Sequence, residues 1–165
     1  MFYIIMGVSG TGKSTIGKLL SDRTGWHFYD ADDFHPQSNI DKMKQGIPLT
    51  DSDRLPWLSS LHQLISNTLN SNQQGILACS SLKSSYRKML CQEQTGVIFV
   101  YLRGSYDCIQ SRIEERTGHF MSSNLLKSQF ETLEEPQNAL IIDVANTPEA
   151  IVEQILSKID DFDAV

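Results

Sequence analysis

The chain has 165 residues, 40% of them hydrophobic and 21% charged, which predicts one soluble globular domain over residues 1–165. Its formal net charge of −6 argues against non-specific nucleic-acid binding, although it is compatible with a local basic pocket for an anionic substrate. No apolar run approaches the ~18 residues of a membrane helix, no signal-peptide pattern occurs, and the three cysteines are widely spaced, so we expect a cytoplasmic protein with reduced thiols.

A phosphate-binding loop lies between the first predicted strand, residues 1–6, and the first predicted helix, residues 14–24. The stretch Gly7-Val8-Ser9-Gly10-Thr11-Gly12-Lys13-Ser14 fits G-x-x-x-x-G-K-[ST], in which backbone N–H groups surround phosphate oxygens at the start of a helix. The pattern predicts that Lys13 reaches the β- and γ-phosphates of a nucleoside triphosphate and that the Ser14 hydroxyl binds Mg²⁺. It does not identify the phosphate acceptor.

Two aspartates follow the second predicted strand, residues 26–29. Asp30 and Asp32 form a D-x-D pair just beyond the carboxyl end of that strand, which is where ligands bind in open α/β sheets. They are candidates for contact with Mg²⁺-bound water and for holding an acceptor hydroxyl. An aspartate-rich turn or helix cap is the alternative interpretation of the same residues.

A short helix is predicted next, with Pro36 in its first turn and Gly46 just after its end. Residues 47–54 then form a turn-rich connection to an amphipathic helix over residues 53–73. Arg54 lies at the end of this connection. It forms either a surface salt bridge or a part of the acceptor pocket.

Two more cations follow a third buried strand, residues 75–80. Lys83 and Arg87 lie one turn apart and share a face of the helix predicted over residues 83–94. A solvated basic face and contact with an anionic substrate are both compatible with this spacing.

A mobile lid is predicted at about residues 117–124, between helices over residues 105–116 and 124–133. Arg112 and Arg116 lie four residues apart near the end of the first of these helices. Arginines there can stabilise charge on a transferring phosphoryl group. Alternatively, the two arginines only stabilise the helix by interacting with the negative, C-terminal end of its dipole.

The remaining strands are predicted over residues 97–102 and 139–143, and a last helix follows with Thr147 as N-cap and Pro148 as its first residue. Five strands that alternate with helices predict an α/β fold with a parallel sheet covered on both faces. With the phosphate-binding loop, this is the three-layer P-loop NTPase fold.

Further motifs occur in order along nearly the whole chain. They are residues 6–15, Asp30-x-Asp32-Asp33-x-His35-Pro36, Asn39-Ile-x-Lys-Met43, Gly46-Ile-Pro-Leu-x-Asp51-x-Asp53-Arg54-x-Pro-Trp-Leu58, Cys79-Ser80-x-Leu82-Lys83-x-x-Tyr86-Arg87, Arg116-x-Gly-His-Phe-Met121 and Ser128-Gln-Phe-Glu-x-Leu-Glu134. In these motifs the chain resembles gluconate kinases, which belong to the P-loop small-molecule kinases together with shikimate and adenylate kinases.

The resemblance implies ATP- and Mg²⁺-dependent phosphorylation of the 6-hydroxyl of D-gluconate, giving 6-phospho-D-gluconate. Related enzymes are often homodimers, and the sequence leaves the oligomeric state open. The implied catalytic residues are Lys13, Asp32 and Arg116, and the implied metal-site residues are Ser14 and Asp30. The implied ATP-binding residues are Gly7, Ser9, Gly10, Thr11, Gly12, Lys13, Ser14, Thr15, Arg112, Arg116, Thr147 and Pro148. The implied substrate-binding residues are Asp32, His35, Arg54, Lys83, Arg87 and His119.

The chain departs from the gluconate kinase pattern at three positions: Ala31 replaces the usual Gly, Thr50 the usual Asn and Ser81 the usual Ala. If residue 31 requires a positive φ, alanine costs about 1 kcal/mol there. None of the three removes a charge, so they bear on substrate affinity more than on the reaction class.

Two alternative functions remain at this stage. A shikimate kinase shares the P-loop and the D-x-D pair but usually carries Gly-Gly-Gly after the third strand, where this chain has Ser80-Ser81-Leu82-Lys83. A nucleotide-dependent switch that binds a partner is the other alternative. A guanine-specific switch usually contains Asn-Lys-x-Asp, which does not occur in this chain.

Overall fold

A sheet of five parallel strands forms the centre of the protein in a computed structural model that describes residues 1–117 and 123–163. Neighbouring strands pair in the order β2-β3-β1-β4-β5. The predicted parallel sheet is therefore confirmed. Its strands are β1 (Phe2–Met6), β2 (His27–Asp30), β3 (Gly75–Ala78), β4 (Val97–Arg103) and β5 (Leu140–Asp143).

Helices connect the strands, and a 3-10 turn, Ala31–Phe34, lies between β2 and the second helix. The predicted helices are confirmed, with ends that differ by up to three residues. The fourth helix ends early because Gln92 leaves the helical region with a φ of 45°. In the described residues the helices are α1 (Lys13–Thr24), α2 (Gln37–Lys44), α3 (Asp51–Asn70), α4 (Ser84–Cys91), α5 (Tyr106–Thr117), α6 (Ser123–Thr132) and α7 (Pro148–Asp163).

Hydrophobic side chains cover both faces of the sheet. In β1, Tyr3 and Ile5 face a core formed with α1 and α7, whereas Phe2 and Ile4 face a core formed with α3 and α4. All four side chains are fully buried. Burial on both faces explains why this strand is a continuous apolar run in the sequence.

The predicted lid falls mainly on residues 118–122, which lie outside the described residues. Within the described ranges, every helix is too short or too polar to span a lipid bilayer.

The start of α3 is set by a capping box. The Thr50 hydroxyl accepts a hydrogen bond from the Asp53 N–H at 3.1 Å, and the Asp53 carboxylate accepts one from the Thr50 N–H at 2.9 Å. Asp53 also binds Lys42 Nζ at 2.9 Å, so the box holds α2 beside α3. These hydrogen bonds explain why α3 begins two residues earlier than predicted.

Thr50→Ala is expected to lower the free energy of unfolding by about 1 kcal/mol, because it removes the N-cap acceptor. Thr50→Asn, which restores the residue usual in gluconate kinases, is the matched control and should change this free energy by only a few tenths of a kcal/mol. Urea denaturation of both variants measures the difference. An unchanged free energy of unfolding in Thr50→Ala would show that the hydroxyl does not stabilise the helix as a cap.

Candidate active site

A cleft of about 980 Å³ opens at the carboxyl edge of the sheet, where the loops after β1, β2 and β3 face α6. Parallel strands end at a common edge, so the cleft brings together residues that are distant in sequence. A smaller cleft of about 380 Å³ at the ends of β4 and β5 is lined by Ala145 and by none of the site residues named in the sequence analysis. The predicted residues that line the larger cleft are Ser9, Gly10, Gly12, Lys13, Ser14, Thr15, Asp30, Asp32, His35, Arg54 and Lys83.

The P-loop, residues 7–14, packs against α5. Gly10 has a φ of 83°, and a Cβ atom there would lie 2.7 Å from Cγ1 of Ile113, so only glycine fits. Val8 is buried in the same cluster as Ile113. The Thr11 hydroxyl donates to the Val8 carbonyl at 2.9 Å, so Thr11 supports the loop from within rather than lining the cleft.

Lys13 lies over the loop that precedes it. Its ammonium group donates a hydrogen bond to the Val8 carbonyl oxygen at 3.1 Å. Burial lowers the pKa of Lys13, although Cys79 and the carboxylates of Asp32 and Asp30 act in the opposite direction. An anionic phosphate beside this ammonium group would therefore stabilise its charged form.

Ser14, near the start of α1, and Asp30, at the end of β2, bring two oxygen atoms together. The Ser14 hydroxyl donates to Oδ2 of Asp30 at 2.9 Å. A hydroxyl and a carboxylate are hard oxygen donors, and Mg²⁺ in nucleotide sites uses few protein ligands together with water and phosphate oxygens. The two residues present therefore fit a Mg²⁺ site.

Asp32 is presented to the cleft by the 3-10 turn that follows β2. Its backbone N–H donates to Oδ1 of Asp30 at 3.0 Å, and Trp57 Nε1 donates to the carbonyl of Ala31 at 2.7 Å. Ala31 is not among the residues with positive φ, so the strain considered for alanine at this position does not arise. The Asp32 side chain faces the open cleft, yet partial desolvation, assisted by the charge of Asp30, raises its pKa. A raised pKa suits a group that accepts a proton.

His35 stacks on Trp57 of α3, with ring centroids 4.4 Å apart and an angle of 12° between the planes. Its Nδ1 lies 3.2 Å from the side-chain nitrogen of Asn39. Desolvation lowers the pKa of His35, and Asp32 partly opposes this effect. His35 therefore lines the cleft as a stacked ring whose neutral form is favoured by desolvation.

Arg54 and Lys83 form a cationic wall around Tyr86. Lys83 Nζ lies 5.3 Å and Arg54 Cζ 5.7 Å from the centre of the Tyr86 ring. Asp51 lies at the rim, accepting hydrogen bonds from the Tyr86 hydroxyl and from Lys83 at 3.2 Å, with Arg54 at 3.9 Å. Arg54 thus approaches an acidic residue and also lines the cleft, so its place in an acceptor pocket stays a prediction. Tyr86 and Asp51 occur in the motifs of the resemblance but were not predicted as site residues.

Arg87 does not line the cleft, in contrast to the prediction that it contacts the substrate. Its guanidinium donates to the carbonyls of Ser81 and Leu82, at 2.8 and 3.1 Å. Ser81 is buried and has a φ of 49°, which is unusual for a residue with a side chain. Arg87 therefore supports the strained loop that carries Lys83 into the cleft.

The remaining predicted residues lie towards β5 or outside the described part. Arg112 of α5 donates to the carbonyls of Val144 and Asn146, so it contacts the loop before α7. In that loop the Thr147 hydroxyl accepts from the Ala150 N–H at 3.2 Å, which confirms the predicted N-cap. The side chain of Arg116 and the whole of His119 are not described, and their roles stay predictions.

Gln129 of α6 is a cleft residue that sequence reasoning missed. It forms two hydrogen bonds with Ser9 of the P-loop. The only sequence signal was its presence in the Ser128-Gln-Phe-Glu motif, because helical spacing alone does not show which loop a side chain meets.

The fold and the cleft define a P-loop small-molecule kinase. In agreement, the family model of shikimate kinase matches residues 9–160 of the chain.

Known relatives identify the group within this class. A thermosensitive gluconokinase of Escherichia coli (strain K12) is 50% identical over 135 residues, covering 82% of this chain and 72% of the relative. A probable gluconokinase of Xenopus tropicalis is 42% identical over 178 residues, covering 97% and 94%. The crystal structure of a gluconokinase from Sinorhizobium meliloti 1021 is 41% identical with a TM-score of 0.87, covering 97% of this chain and 91% of that chain. The chain belongs to the gluconokinase family, which confirms the resemblance inferred from its motifs.

Proposed function

We propose that the protein transfers the γ-phosphoryl group of ATP to the 6-hydroxyl of D-gluconate. The observation that carries this proposal is a single cleft that joins a P-loop to the carboxylate of Asp32 and to the cationic wall of Arg54 and Lys83. A carboxylate and a cationic wall suit an acceptor with a reacting hydroxyl and a carboxylate of its own. The gluconokinase relatives support gluconate as that acceptor.

On the nucleotide side, the P-loop amides and Lys13 hold the β- and γ-phosphates. Ser14 and Asp30 hold Mg²⁺, which neutralises charge on the phosphate oxygens when it is bound. We assign the adenine rim to residues 145–148, and we assign Arg112 and Arg116 to contacts with the adenine and the phosphates.

On the acceptor side, Lys83, Arg54 and His119 hold the gluconate, with the cations matching its carboxylate, and His35 shapes the wall beside Asp32. Asp32 orients the 6-hydroxyl towards the γ-phosphorus. The hydroxyl oxygen bonds to this phosphorus as the bond to the β,γ-bridging oxygen breaks. ADP leaves with that electron pair, and the hydroxyl proton passes to Asp32. Arg87 acts through the loop of Ser81 rather than on the substrate.

The cysteines support a reducing compartment such as the cytoplasm. Cys79, Cys91 and Cys108 are free thiols, and Cys79 is buried. A protein that works in an oxidising compartment usually pairs its cysteines in disulfides.

An ADP-release assay with Mg·ATP tests the proposal, first without acceptor and then with D-gluconate, shikimate, AMP and other sugar acids. Of these acceptors, we expect only D-gluconate to give rapid release of ADP. Release of ADP with a different acceptor would support kinase activity but would show that gluconate is not the substrate. If protein that still binds ATP releases no ADP with any acceptor, it acts as a nucleotide-dependent switch instead.

Lys83→Met is expected to raise the KM for gluconate by about 10-fold, because it removes a charge-assisted hydrogen bond to the carboxylate. The KM for ATP should change little, since Lys83 lies on the acceptor side of the cleft. Lys88→Met is the matched control, because Lys88 is exposed on α4, the helix that begins just after Lys83, and does not line the cleft. Equal KM values for gluconate in both variants would remove Lys83 from the acceptor site.

A further inference from the structure

Two hydrogen bonds join the tip of the P-loop to α6. The Ser9 N–H donates to Oε1 of Gln129 at 2.7 Å, and Nε2 of Gln129 donates to Oγ of Ser9 at 2.9 Å. Both residues line the large cleft. A carboxamide suits this contact because it carries an acceptor and a donor side by side.

The contact lies beside the predicted position of the terminal phosphate. Ser9 directly follows Val8, whose carbonyl oxygen binds the ammonium of Lys13 at 3.1 Å. The lysine of a P-loop reaches the β- and γ-phosphates. Gln129 and Lys13 therefore approach the same short segment of the loop, and Asp32 lines the cleft that they share.

The carboxamide of Gln129 has a second N–H group that does not bind Ser9. Its nitrogen carries two N–H groups, and one of them binds Ser9. The other has no hydrogen-bond partner within residues 1–117 and 123–163. The side chain is thus anchored at Ser9 and still offers an N–H group to a ligand.

We infer that Gln129 contacts the substrate: its free N–H donates to a γ-phosphoryl oxygen of ATP, while its carbonyl holds the Ser9 N–H in place. This inference rests on the proposed function, because it requires ATP as the phosphoryl donor. It adds a neutral donor on α6 to the charges of Lys13 and Mg²⁺. Such a donor strengthens as charge develops on the phosphoryl group in the transition state.

Nucleotide binding without an acceptor tests the inference. The affinities for Mg·ADP and for the magnesium complex of the β,γ-imido analogue of ATP are measured by titration calorimetry. Gln129→Met should weaken binding of the analogue by about 10-fold and binding of ADP by less than about 2-fold, because only the analogue has a γ-phosphate. Equal weakening of both ligands would mean that Gln129 only supports the loop, and no weakening of either would also overturn the inference.

Gln129→Glu provides a second variant that keeps the anchor. Its carboxylate can accept hydrogen bonds from both the N–H and the hydroxyl of Ser9, but its charge opposes the γ-phosphate. Binding of the analogue should therefore fall further than in Gln129→Met, and an affinity for the analogue at the wild-type value would contradict the inference. Gln63→Met is the matched control, because Gln63 is exposed on α3 and does not line the cleft; it should bind both ligands as the wild type does.

Kinetics separate this inference from the proposed function. With gluconate, Gln129→Met should lower kcat by about 100-fold with little change in the KM for gluconate. If Gln129→Met selectively loses affinity for the analogue but the protein proves to use another acceptor, the inference stands and gluconate is rejected as the substrate. Wild-type kcat of Gln129→Met on gluconate would discard the inference and keep the proposed function.

Discussion

Replacing Lys13 with methionine is expected to lower kcat by about 10³-fold, because the variant loses the ammonium group that is predicted to bind the β- and γ-phosphates. Among residues 1–117 and 123–163, the ammonium donates a hydrogen bond to the Val8 carbonyl alone, so we expect it to be available to the β- and γ-phosphates. Stopped-flow or steady-state measurement of ADP release with saturating Mg·ATP and gluconate determines the loss. A variant that keeps most of its kcat would remove Lys13 from the catalytic site.

The same substitution should not unfold the protein. Burial lowers the pKa of Lys13 from its ordinary value of 10.5, so the folded state disfavours the charged form. Below the folded pKa this effect destabilises the wild type, and the effect diminishes as the pH rises from the folded towards the unfolded pKa. At neutral pH, Lys13→Met is therefore expected to melt at the same or a higher temperature than the wild type. Lys18→Met, exposed on the same helix, is the control for both measurements and should match the wild type.

Replacing Asp32 with asparagine is expected to lower kcat by about 10³-fold, because the variant cannot accept the proton of the acceptor hydroxyl. The substitution keeps the size of the side chain. The hydrogen bond from the backbone N–H of residue 32 to Oδ1 of Asp30 does not involve the side chain that is replaced. Affinity for Mg·ATP should therefore change little. Near-full activity in steady-state kinetics would overturn the assignment of Asp32 to the acceptor site.

The pH dependence of kcat/KM gives a second check on Asp32. Partial desolvation and the charge of Asp30 raise its pKa above the ordinary value of 3.8. As the pH falls through this raised pKa, Asp32 becomes protonated and kcat/KM should fall. The acidic limb of the profile should therefore lie above the pH expected of an ordinary aspartate, and it should disappear in Asp32→Asn. Asp33→Asn, at the exposed neighbouring position, should retain the limb.

Most of the framework was predictable because its causes are local. Apolar runs identify the strands, and the P-loop motif specifies both the turn and the helix that follows it. The cap at Thr147 likewise depends on residues within one turn. The start of α3 was predicted late because a capping box, rather than the apolar pattern, determines it.

The roles of Lys83 and Arg87 show where local information is insufficient. The sequence predicts both on one helical face, yet Lys83 precedes α4 and lines the cleft, whereas Arg87 lies within α4 and binds the carbonyls of the preceding loop. The difference depends on the path of that loop, including the positive φ of Ser81, and helical spacing contains no information about it. Asp51 and Gln129 were missed for the same reason, since their partners come from other elements.

The sequence by itself determined the order of the elements, the phosphate-binding loop and the carboxylates at the end of β2, because each depends on neighbours along the chain. Only the tertiary structure decided which side chains share the cleft. Strand order places the ends of β1, β2 and β3 side by side, and α6 reaches the P-loop from 120 residues away through Gln129. Such contacts depend on how the helices pack over the sheet edge, and packing is a property of the whole chain.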